Sequence, residues 1–151
     1  MKQIVLGVIV AAASAMLARA EPAGNYVPGL GEFMTATQLR HAKLWFAGNN
    51  GNWALAAWEV GEIREGLGDA ANLHATHDGV PVAEMIKTII APRLEKLDKA
   101  IAAKGGAQFT AAFDDLTDGC NSCHAAANKP FIRIQRPTAP PFSNQDFTPP
   151  K

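Results

Sequence analysis

Four stretches of this chain carry apolar residues at the repeat of an α-helix, and no run alternates as a half-buried strand would. That pattern points to an all-α fold before any single residue is considered. From Leu30 to Ala47, the residues Leu30, Met34, Thr37, His41 and Leu44 fall at offsets 0, 4, 7, 11 and 14, one helical face that includes an ionisable side chain. Pro28 before it and Gly48-Asn49-Asn50-Gly51 after it read as start and stop signals. A second helix reads from Asn52, a good N-cap residue, to Leu67. Its stripe is Trp53, Ala56, Val60, Ile63 and Leu67, with Glu59, Glu62 and Glu65 expected to turn outward. The third runs from about Val82 to Ala103 on Ile86, Ile90, Leu94, Leu97 and Ile101, and Pro92 is expected to kink or split it. The fourth, from about Ala107 to Asn128, sets Phe109, Phe113, Leu116, Cys120 and Cys123 on one face. Four such helices with short loops most economically form an antiparallel four-helix bundle.

The two ends of the chain read differently. Lys2, the apolar or small run Ile4 to Met16 and the small-x-small sequence Ala18-Arg19-Ala20 have the form of a cleaved signal peptide over residues 1–20, with the mature chain starting at Glu21. Export then places the protein in a periplasm or outside the cell, with no membrane span once the leader is removed, since a span needs about 20 apolar residues. Cleavage removes two of 14 basic residues and none of 14 acidic ones, so the mature charge is −2 with histidines neutral. A weakly acidic chain is no candidate for nucleic-acid binding. Residues 21–129 form the expected helical domain. Six of the ten prolines fall at or beyond Pro130, so residues 130–151 are expected to be an extended proline-rich tail. Phe131, Ile132, Ile134, Phe142 and Phe147 are too many apolar groups for a free linker, and the tail is expected to wrap along the bundle.

Chemistry concentrates at Cys120-Asn121-Ser122-Cys123-His124, a Cys-x-x-Cys-His sequence of the kind that attaches c-type haem. Two thiols a helical turn apart can add to the two vinyl groups of one porphyrin edge, and the adjoining imidazole then reaches the iron from a fixed side. Three other uses of two cysteines compete. A zinc site needs further ligands, which only His74-x-x-His77 could supply. A thioredoxin-like pair belongs at a helix N-terminus after a strand, whereas this pair lies late in a helix. A structural disulfide has no need of His124. No methionine follows Met85, so a second axial ligand would have to come from an upstream helix.

The run Phe109-Thr110-Ala111-Ala112-Phe113-Asp114-Asp115-Leu116 leading into Gly119-Cys120-Asn121-Ser122-Cys123-His124 resembles the last helix of the class II, cytochrome c-prime-like, c-type cytochromes. The resemblance covers roughly residues 29 to 128, with only the last helix specific. It implies a four-helix bundle, one covalent haem c held through Cys120 and Cys123, and His124 as the proximal iron ligand. The segment Arg40 to Gly48 with Asn52-Trp53 also resembles a set of periplasmic cytochromes with a similar proline-rich ending. Family members of the usual form stop soon after the haem motif, so the tail is a departure.

In that family the distal residue comes from the first helix. Met34 lies at the matching height and on the stripe, while His41 shares the stripe two turns deeper; an unoccupied distal face is the third arrangement. A bonded sixth ligand favours one-electron transfer, and an open face favours binding of a small gas such as nitric oxide or carbon monoxide. The expectation is a periplasmic monohaem electron carrier, with the gas-binding protein as alternative and a haem-free dithiol oxidoreductase as a distant third. No general base, nucleophile or phosphate loop points to an enzyme. The redox partner is unassigned, and exposed helix faces make a homodimer conceivable. Arg40, Lys43, Lys129 and Arg133 are candidates to pair with haem propionates. Trp45, Trp53 and Trp58 are expected at helix contacts and His74 and His77 in an exposed loop, while Gly119 and Ala125-Ala126-Ala127 would leave room for the macrocycle.

Overall fold

A computed structural model describes residues 26–151, so the expected signal peptide lies outside the described residues. Helix α1 (Leu30–Asn49) begins where Gly29 donates its backbone N–H to Glu32 Oε2 at 2.7 Å, the return half of a capping box. Helix α2 (Trp53–Leu73) is capped by Asn52, whose Oδ1 accepts from the Leu55 N–H at 3.1 Å. It continues past the expected end at Leu67, through Gly68, because Ala70 on the added turn is itself buried. Helix α5 (Gly106–Ala126) carries the cysteine motif. Among the described residues the one β feature is an isolated bridge between His77 and Val80. No helix there is long and apolar enough to cross a membrane.

Pro92 neither splits nor ends its helix. The short helix α3 (Val82–Met85) runs through a π-helical segment, Ile86–Ile90, directly into α4 (Ala91–Ala102). The Ala91 N–H reaches back five residues to the Ile86 carbonyl. This wider turn comes just before the proline, whose ring lacks an N–H and crowds the carbonyl four residues earlier, so the rod absorbs the proline without breaking.

Helix α1 packs chiefly on α2, α2 on α4, α4 on α5, and α5 returns to α1. Phe109, Phe113, Leu44, Ile63, Leu97 and Leu116 are among the largest side chains shut away from solvent, and each lies on a stripe read from the sequence. Burying a side chain of this size stabilises by roughly 1.5–3 kcal/mol. Trp45 adds its ring 5.0 Å from that of Phe113, and Trp53 lies 6.0 Å from Phe109. Trp58 does not join them; it is 61% exposed.

Glu59 departs from its expected outward position and is only 1% exposed. It lies three residues after Ala56 and four before Ile63, so helical geometry puts it on the apolar stripe itself. Arg40 crosses from α1 to meet it, with Nη1 3.3 Å from Glu59 Oε2 and Nη2 2.6 Å from Glu62 Oε2.

Beyond Pro130 the described chain has neither helix nor strand. Phe147 is 5% exposed, its ring 5.7 Å from that of Phe46, and Asn52 Nδ2 donates to the Thr148 carbonyl at 2.9 Å. Arg136 pairs with Asp114 and lies over the Trp45 ring. Phe131 and Phe142 remain exposed.

Candidate functional site

A cavity of about 430 Å³ opens between α1, the Val82–Ala102 rod, α5 and the chain that follows α5. Its size falls in the range of about 300–1,000 Å³ usual for small-molecule and cofactor sites. Leu30, Leu67, Val82, Ile86 and Ile90 supply apolar wall, while Cys120, Cys123, His124, Met34 and His41 all contribute to the lining. The candidate residues of α1 and α5 therefore share one space. Met85, His77 and Lys129 also line it. Met85 escaped the sequence reading because it sits one place off the Ile86-Ile90 stripe, at the edge of the rod. His77 escaped because its loop reads as polar and unstructured, and only the bridge to Val80 turns it toward the cavity.

Helix α5 ends in a way that brings the following chain back onto His124. Asn128 adopts left-handed backbone with φ 57°. Its N–H reaches the Ala125 carbonyl at 3.1 Å and that of Lys129 reaches the His124 carbonyl at 2.8 Å, a Schellman closure with asparagine in the usual glycine place. A turn through Pro130 follows, closed by the Ile132 N–H on the Lys129 carbonyl at 3.0 Å. The returning chain sets the Ile132 carbonyl 3.0 Å from His124 Nδ1. A carbonyl only accepts, so Nδ1 carries the ring proton and Nε2 of the neutral imidazole keeps its lone pair. Two residues on, Ile134 is held at both backbone groups by one side chain: Asn121 Oδ1 accepts its N–H at 2.8 Å and Asn121 Nδ2 donates to its carbonyl at 2.9 Å.

His41 is buried, its ring 4.3 Å from that of Phe113. Its Nε2 lies 2.9 Å from Thr117 Oγ1, and that hydroxyl donates its own proton to the Phe113 carbonyl at 2.9 Å. The hydroxyl must accept from His41, so Nε2 carries the proton and Nδ1 the lone pair. Burial lowers the His41 pKa to about 4, which keeps the ring neutral.

Both thiols are half-buried and free. Burial first, and the neighbouring thiol second, push Cys120 up to about 11; burial likewise raises Cys123. Thiol–disulfide catalysts need the opposite shift. No group of three or more His, Cys, Asp or Glu side chains converges among the described residues as a metal cage would require, so the zinc alternative has no complete ligand set.

The remaining sequence candidates divide. Arg40 is engaged with Glu59 and Glu62, and Lys43 lies over the Phe142 ring at 5.3 Å, whereas Lys129 is at the cavity with its Nζ 3.9 Å from Asp78 Oδ2. His74 is tied away by its Nε2, 2.8 Å from the Pro28 carbonyl. Gly119 makes room for a protein group rather than a cavity occupant: a Cβ there would stand 2.6 Å from Arg93 Cδ. Of the three alanines after the motif, Ala127 alone is part of the lining.

No protein-family model, no curated protein sequence and no solved structure matches the chain.

Proposed function

We propose that this is an exported monohaem c-type cytochrome on an antiparallel four-helix bundle of the class II kind, acting as a one-electron carrier rather than an enzyme. The observation that carries the reading is the meeting of Cys120, Cys123 and His124 from α5 with Met34 from α1 on the wall of a single cavity. The donor set suits a haem: two thiols three residues apart on a helix, an imidazole with Nε2 free to bind a metal, and largely apolar walls. Such a group supplies a reversible one-electron change at its iron. Cys120 and Cys123 would hold it covalently and His124 would be its proximal ligand. Lys129 and His77 are the cationic or donor groups able to meet its carboxylates. Met34 is the preferred distal ligand. His41 is less suited, because its Nε2 is already given to Thr117.

A gas-binding protein is the second reading, favoured by that same commitment of His41: if Met34 also stays off the iron, the distal face is open. One experiment separates them. The chain is expressed with haem-attachment machinery, and spectra of the oxidised and reduced forms are recorded with and without carbon monoxide. A low-spin product indifferent to the gas supports the carrier, prompt carbonyl formation supports gas binding, and a colourless product ends both.

A further inference from the structure

The two positions between the cysteines are the least constrained part of a haem-attachment sequence, yet Asn121 makes a specific two-point contact. Its carboxamide pairs with the N–H and the carbonyl of Ile134 at 2.8 and 2.9 Å, as a neighbouring strand would. Ile132 and Ile134 line the cavity, while Phe131 and Arg133 are exposed and do not. One end of this short strip is fixed by the Schellman closure at Asn128 and the turn through Pro130. Asn121 fixes the other. Between the two anchors lies the Ile132 carbonyl, 3.0 Å from His124 Nδ1.

We propose that Asn121 is a positioning residue for the iron's proximal ligand: by clamping Ile134 it holds the Ile132 carbonyl against His124 Nδ1, and so sets the orientation and donor strength of the imidazole. The inference rests on the haem reading given above. A ligating histidine that donates its second N–H to a carbonyl is fixed in one tautomer and made a stronger base. A stronger donor stabilises the more positive iron, so this contact lowers the reduction potential. The residues after the motif are then part of the site. They also cover one wall of the cavity with Ile132 and Ile134.

The test compares the haem-loaded wild type with Asn121→Ala and Ile134→Pro. Asn121→Ala removes the clamp from the helix side. Ile134→Pro removes the N–H from the tail side, in a segment outside any helix or strand. Each variant is expected to bind haem through both thioethers as the wild type does, yet to show a higher midpoint potential. The double variant is expected to shift no further than either single one. Hydrogen exchange is expected to show the Ile134 amide losing its protection in Asn121→Ala. An unchanged potential in both Asn121→Ala and Ile134→Pro overturns the inference while the haem reading stands. So does an additive double variant, or an Ile134 amide that stays protected. A wild type that takes up no covalent haem overturns the functional reading and this inference together.

Discussion

Gly48 lies so close to the ring of Phe109 that a Cβ built on it would stand 2.1 Å from Cζ and 2.3 and 2.5 Å from the two flanking ring atoms. The contact joins the end of α1 to the start of α5, so a fully buried aromatic ring is seated against bare backbone. Replacing Gly48 by alanine brings two opposed effects. Helix propensity gains about 1 kcal/mol. Overpacking costs roughly 1–3 kcal/mol, because Phe109 is enclosed by Trp45, Trp53 and Phe113 and cannot simply rotate away. Gly48→Ala is therefore expected to be destabilised, with a lower urea midpoint at unchanged slope. A midpoint at or above that of the wild type would show that the ring has room.

Arg40 and Glu59 form the second relationship with a measurable consequence. Burial pushes the Glu59 carboxyl up, and the Arg40 guanidinium works against that shift. Arg40→Met removes the hydrogen-bonded cation and leaves a buried carboxylate with only the charge of Lys43 acting in its favour. Breaking a buried pair this way costs roughly 3–5 kcal/mol, and the exposed part of Arg40 puts the expectation at the lower end. Glu59 escapes by taking a proton, so the deficit should shrink as pH falls. Adding Glu59→Gln should recover most of it at neutral pH. Denaturation of the two variants at several pH values checks both statements, and a deficit independent of pH would mean that packing of the arginine stem, not charge, is what was lost.

His41 gives a pH dependence of opposite sense. Its pKa falls from an ordinary 6.5 unfolded to about 4 folded, so between those values the unfolded chain binds the proton more tightly. The stabilising contribution is complete above pH 6.5 and is lost as pH drops toward 4, amounting to about 3 kcal/mol over the interval. The chain purified without cofactor should lose stability across this window. In His41→Leu, where Thr117 still donates to the Phe113 carbonyl, that part of the slope should vanish. Equal slopes in the two proteins would locate the acid sensitivity elsewhere.

What could be read in the sequence follows from how local each feature is. The stripes carrying Leu44, Ile63, Leu97 and Phe113 depend only on helical period, and they bury as expected. Helix ends are legible where the signal is local, as at Asn52 and at Gly48 to Gly51, and are missed where tertiary packing decides, as at Ala70, whose burial carries α2 on to Leu73. Glu59 was assigned outward by its residue type although its spacing put it on the stripe, and only a partner on another helix makes that burial tolerable. The motif at 120–124 is a local pattern, and its two thiols and imidazole line one cavity. Met85 and His77 could not be placed at the cavity, since one depends on the course of the rod and the other on a bridge between two loop residues. The Ile132 carbonyl that fixes His124 is a backbone atom, delivered by a left-handed Asn128 and a turn, and no side-chain pattern announces it.

Two methionines from different helices line one cavity, and in the proposed haem protein experiment can decide which of them is the distal ligand. Met34 comes from α1, next to Leu30 and Gln38 in the lining, and Met85 from the end of α3. Met85 directly precedes the π-helical segment, whose Ile86 and Ile90 also form wall, so its backbone is tied to the packing around Pro92. Met34 lies on a regular helix, and although both methionines are half-buried, only the backbone of Met85 is tied to the π-helical segment. In the haem-loaded protein, Met34→Ala is expected to convert a low-spin spectrum to high-spin and to make the reduced form take up carbon monoxide rapidly. Met85→Ala and His41→Ala should each leave the spin state as it was. The reverse result, with Met85→Ala opening the distal face and Met34→Ala silent, would assign the ligand to the rod and make the π-helical segment the element that sets its height.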